Sequence, residues 1–92
     1  MARLLEDQLA GTRVFDVDHS PVGEVRAVYG SGEGRLAEFV LVYWSKRQEA
    51  ALVPADDVTG IDDDGIVLVH KEAAYDGLAA FDPSANPSLH RL

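Results

Sequence analysis

The sequence predicts a mostly β fold, a small barrel of roughly five to six short strands with a short C-terminal helix. Two observations carry that expectation. Segments rich in β-branched and aromatic residues recur between turn residues about every eight to twelve positions. The central segment, Phe39-Val40-Leu41-Val42-Tyr43-Trp44, has no polar face, so it must be covered on both sides. A 92-residue chain that is 47% hydrophobic and 26% charged is an ordinary globular composition, too apolar for a disordered one.

The elements follow in order. Leu4, Leu5 and Leu9 suit a helical turn or docking arm over residues 1–10. Gly11 ends the arm, and Thr12 to Asp16 reads as the first strand. Asp16-Val17-Asp18-His19-Ser20-Pro21 is turn chemistry, since Asp and Ser supply local hydrogen bonds and Pro fixes φ. Val22 to Tyr29 alternates, with Val25, Ala27 and Tyr29 on one side and Glu24 and Arg26 on the other, and Gly23 marks a bulge or close backbone approach.

Gly30-Ser31-Gly32-Glu33-Gly34 is a hairpin connection; it lacks the Lys-Ser/Thr ending and the following helix of a phosphate loop. Leu36 to Trp44 is the next strand. Ser45 to Glu49 turns into Ala50 to Val53, which Pro54 stops because proline cannot donate into a ladder. Pro54 to Val58 suits one helical turn with acidic residues at its start. Thr59 to Ile61 leads into the Asp62-Asp63-Asp64-Gly65 turn, and Ile66 to Val69 is the last strand. Lys71 to Phe81 suits the helix, although Gly77 weakens it by about 1 kcal/mol relative to Ala. The expected organisation is an arm over 1–10, a barrel over 11–81 and a loose tail over 82–92.

Charge and cysteine content exclude several functions. Sixteen acidic residues against eight basic ones give a net charge of −8. That opposes direct nucleic-acid binding, which draws on Lys and Arg at phosphates, and opposes anionic membranes. No cysteine is present, which removes disulfides, thiolate nucleophiles and zinc–thiolate sites and fits a cytoplasmic setting. Met1 to Ala10 does not read as a signal peptide, and no apolar run approaches the roughly 20 residues that cross a bilayer.

The order of segments resembles the PRC-barrel family. The resemblance rests on Leu9-Ala10-Gly11-Thr12-Arg13-Val14-Phe15-Asp16 with Pro21-Val22-Gly23-Glu24-Val25, on the apolar strand Ala37 to Tyr43, and on Leu52-Val53-Pro54 with Asp57-Val58. The Asp-Gly turn before Ile66 to Val69 completes it. What the resemblance implies is a non-catalytic protein-interaction or assembly module. Family members occur in a membrane-anchored reaction-centre subunit and a ribosome maturation factor, but this sequence shows neither the membrane helix nor the additional N-terminal domain of those proteins.

Each candidate for chemistry has a plainer reading. Asp62, Asp63 and Asp64 are weak metal candidates, because a Ca²⁺ loop needs alternating ligands and a terminal bidentate Glu, whereas Val67 to Val69 are apolar. Asp16, Asp18 and His19 lack a nearby nucleophile and sit where turns favour Asp. No enzyme and no cofactor are expected. Val40, Val42 and Trp44 are expected to point outward, with Phe39 and Leu41 inward, so that the outer face docks the helix or a partner. The partners expected are a second copy forming a dimer and an unidentified protein. The alternatives are a cation- or small-ligand-sensing module built on the acidic turns, and a ribosome-assembly accessory that binds a basic ribosomal protein.

Overall fold

The computed structural model describes residues 11–30, 38–61, 64–82, 84 and 90–91. Its strands are β1 (Arg13–Phe15), β2 (Pro21–Gly30), β3 (Phe39–Trp44), β4 (Glu49–Pro54), β5 (Val58–Ile61), β6 (Ile66–Leu68) and the two-residue β7 (His90–Arg91). Single turns of 3-10 helix occupy Ala55–Asp57 and Glu72–Tyr75. The strands form one sheet in the order β4-β3-β2-β1-β6-β5, and β7 pairs with β2. All pairings are antiparallel except β1 with β6. The mostly β expectation holds, on a mixed sheet.

The expected barrel does not close. Strands β4 and β5 end the sheet on opposite sides, and no ladder joins them among the described residues. Yet only Ala55–Asp57 separates them in sequence. A flat six-stranded sheet would hold its outer strands about 24 Å apart, at about 4.8 Å per neighbour. The four Cα steps from Pro54 to Val58 reach at most about 14 Å. The sheet therefore curls, bringing its two ends to one corner without sealing them.

Inside the curl lies the core: Val14, Val22, Val25, Val28, Val40, Val42, Trp44, Ala51, Val53, Ile66, Leu68 and Tyr75. This reverses the expected facing of β3. Val40, Val42 and Trp44 are 0%, 0% and 1% exposed, and Phe39, Leu41 and Tyr43 take the outer face. Register sets this, since Val42 opposes Val25 and Ala51 while Val40 opposes Val28 and Val53. The indole N–H of Trp44 has no acceptor among the described residues.

Gly23 stands opposite both Val14 and Trp44, where a Cβ would collide with the Tyr43 carbonyl oxygen. Gly65 is buried at φ 150°, and a Cβ there would strike the Arg13 carbonyl oxygen. Each therefore needs glycine for close approach, and Gly65 also for its backbone angle.

The expected helix over Lys71 to Phe81 is absent. Successive three-residue bonds replace it: the amides of Ala74, Asp76 and Leu78 donate to the carbonyls of Lys71, Ala73 and Tyr75. Tyr75 is drawn into the core, where its ring lies 5.3 Å from that of Trp44 and its hydroxyl donates to Asp57 at 3.1 Å. The Arg47 guanidinium donates to the carbonyls of Tyr75 and Leu78 while pairing with Glu49. A helix this short is marginal in water, so these tertiary partners dictate its path.

The segment beyond Tyr75 is held as well. The Phe81 amide donates to the Ala50 carbonyl at 2.8 Å, its ring lies 5.0 Å from that of Tyr29, and β7 pairs with Tyr29 and Gly30. Tyr29 belongs to the outer face, opposite Phe39. The chain thus passes from Tyr75 on the core side, around β4, to the outer side. This, rather than a helix, contributes cover to the apolar outer face. The arm over 1–10 and most of the Gly30–Gly34 connection lie outside the described residues.

Candidate interaction site

The outer face of β1, β2 and β3 gathers the polar side chains that the core excludes. Glu24 opposes Arg13 on one side and Tyr43 on the other. Between Val25 and Ala27 the β2–β3 register slips, and Arg26 is the extra residue. Such a bulge leaves its residue unpaired and re-aims it. Here the Arg26 guanidinium lies 4.6 Å from the Tyr43 ring centroid and 2.9 Å from a Glu24 carboxylate oxygen.

Open clefts adjoin this array. One of about 560 Å³ is lined by Arg13, Pro21, Gly23, Glu24, Tyr43 and Ser45. A second of about 440 Å³ shares Arg13 and adds Gly11, Thr12, Phe15 and Asp64. A third of about 190 Å³ continues through Phe15 and Asp64 to His19 and Val67. Arg13 thus lies where two clefts meet, exposed and without an ion pair among the described residues. The side chains of Arg26 and Glu24 are 50% and 41% exposed, so their pair contributes only about 0–1 kcal/mol to folding. What the cluster offers is a preset array of aromatic and guanidinium groups, the types enriched where binding energy concentrates.

The other candidates are placed differently. Val40, Val42 and Trp44 lie in the core, so a dimer cannot use their side chains without unfolding the strand. Asp62 and Asp63 lie outside the described residues, and Asp64 lines the two smaller clefts. Among the described residues, no group of three or more His, Asp or Glu is placed to hold a metal ion.

Asp16 is 6% exposed and ties the β1–β2 turn to the C-terminal segment. One carboxylate oxygen accepts the amides of Asp18 at 2.9 Å and Ser20 at 3.0 Å, and the other accepts that of Glu72 at 3.2 Å. The Ser20 amide is the largest influence holding its pKa below the ordinary carboxylate value; burial opposes it, and the Glu72 and Asp18 amides and Lys71 assist. The neighbouring His19 adopts φ 64°. Asp16 is thus a structural knot, with three of about four acceptor positions already committed to backbone amides. Tyr75 is the second perturbed group: burial, then its bond to Asp57, push its pKa to about 12.

Sequence reasoning had placed Glu24 and Arg26 together on the polar side of β2. It did not join them to Arg13 and Tyr43, since that contact depends on register across three strands. Comparison of the chain with protein-family models and with curated proteins finds no match. Among the described residues, no helix is long and apolar enough to cross a membrane.

Proposed function

We propose that this protein is a non-catalytic interaction or assembly module that docks a protein partner on the outer sheet face around Arg13, Glu24, Arg26 and Tyr43. The observation that carries the reading is the Arg26–Tyr43 stack beside Arg13, a guanidinium exposed at the meeting of two clefts. Holding a half-buried aromatic ring beside two exposed guanidinium groups adds little to folding, whereas the same groups desolvated by a partner bind well. The PRC-barrel resemblance supports a module of this kind without barrel closure, and the lack of cysteine fits a cytoplasmic setting.

Affinity capture from lysate tests it, using wild type and the Arg13→Glu, Tyr43→Ser double variant, both verified as folded by circular dichroism. A partner retained by wild type and lost by the variant is the expected result. Light scattering on the same samples identifies a second copy as partner if mass rises with concentration in wild type alone. Equal capture by both proteins, or capture by neither with no self-association, ends the reading.

A further inference from the structure

The docking face is laid out across the strands rather than along them. Arg13, Glu24 and Tyr43 are paired neighbours on β1, β2 and β3, and Phe15 pairs with Val67 of β6. The clefts follow the same line: the first meets the second at Arg13, and the second meets the third at Phe15 and Asp64. A shallow groove therefore passes Arg13 and continues on both sides of it. Half-buried Tyr43 lies toward one end, and half-buried Phe15 and Val67 lie toward the other.

The two guanidinium groups on this face stand differently. That of Arg26 is held, lying over the Tyr43 ring and paired with Glu24. Arg13 is exposed at the junction of two clefts. A guanidinium offers a planar fork of donors that meets a carboxylate through two parallel hydrogen bonds. The rest of the chain limits how much acid can approach. A net charge of −8 repels a polyanion, whether an acidic tail or a nucleic acid, and Glu24 faces Arg13 across the β1–β2 pair. One carboxylate suits the site, and a run of them does not. Because the groove passes Arg13 in both directions, that carboxylate belongs to a side chain within a segment and not to a chain end.

The flanks set the spacing. Tyr43 is two strands from Arg13, about 10 Å away at about 4.8 Å per neighbour. Val67 is one strand over and two residues along, about 8 Å away. An extended chain gains about 3.4 Å per residue, so side chains two or three positions from the acid reach both.

We propose that this face binds an extended segment of a partner protein that carries one internal Asp or Glu, engaged by Arg13, with apolar side chains two or three positions away on each side. The inference rests on the docking reading above and adds the chemistry of the partner.

The test presents immobilised full chain with pools of end-blocked nine-residue peptides. The central residue is glutamate, glutamine or lysine, the positions two and three away vary among leucine, valine and phenylalanine, and the rest are serine. Wild type should retain the glutamate pool about tenfold or more over the glutamine pool, as a charge-assisted contact requires, and the lysine pool least. Arg13→Gln should erase the glutamate preference with its thermal midpoint kept, and Glu24→Gln should strengthen it. Amide shifts on adding the retained peptides should centre on residues 13–15 and 43. Several results would overturn the inference: a lysine pool retained as well as the glutamate pool, a preference that survives Arg13→Gln, shifts centred on another face, or no pool retained at millimolar peptide. A glutamine pool with free C-termini matching the blocked glutamate pool would also overturn it, since the chain end would then be the ligand. Equal retention of the glutamate and glutamine pools, lost in Tyr43→Ser, would overturn the inference and keep the docking reading. Lysate capture indifferent to Arg13 and Tyr43 would end both.

Discussion

Truncating Val42 tests the facing of β3 directly. The side chain has no exposed surface and sits between Val25 and Ala51 in register. Val42→Ala removes two methyl-sized groups, a transfer loss of about 1.6 kcal/mol at about 0.8 kcal/mol each. A cavity left by partial relaxation adds up to about 1 kcal/mol. The total of about 2–3 kcal/mol corresponds to a drop of roughly 10–20 °C in Tm for a domain of this size. Val42→Glu would bury a charge without a partner, costing several kcal/mol of a total stability near 5–14 kcal/mol for 92 residues. It should leave the chain unfolded at room temperature. Tyr43→Ser, one residue along on the outer face, loses chiefly the Arg26 stack and should cost about 1 kcal/mol. Urea titrations followed by circular dichroism, with unchanged m values, give all three numbers. A near-neutral Val42→Ala beside a Tyr43→Ser costing more than about 2 kcal/mol would mean the strand faces the other way.

Three further outcomes follow from the polar contacts. Asp16 has a depressed folded pKa, so its stabilisation is complete above the unfolded carboxylate value and is lost as pH falls through the folded one; Asp16→Asn should remove part of the acid limb of the stability–pH curve, and an unchanged limb would refute this. Tyr75 behaves in the opposite sense: its raised pKa gives stability that is full below about pH 10 and lost toward pH 12, so a late tyrosyl absorbance step should vanish in Tyr75→Phe. Arg47→Ala should cost about 1–3 kcal/mol by stranding the carbonyls of Tyr75 and Leu78. Hydrogen exchange should then quicken over residues 72–82 while β2 and β3 keep their protection; uniform quickening would show that Arg47 does not act on this segment.

Local chemistry determined much of this protein. Strand content, the stop at Pro54, the turn at Asp16 and the glycine before β6 are set within a few residues, by β-branching, missing donors and side-chain bonds to nearby amides. Gly23, where a strand begins after a turn, reads locally as a bulge or a close approach, and its Tyr43 neighbour makes it the latter. Only the tertiary structure decided the rest. In Phe39–Trp44 both faces are equally apolar, so alternation holds no information about which one is inside; the choice belongs to the register with β2 and β4. The stretch after Lys71 has helical composition, but the Trp44 and Asp57 contacts of Tyr75 and the grip of Arg47 outweigh the few bonds a short helix offers. Arg47 itself looked like any polar turn residue, because the carbonyls it holds lie 28 and 31 positions away. Closure was decided last and globally: the short β4–β5 connection forces the sheet to curl, and no local signal states whether its final two edges will meet.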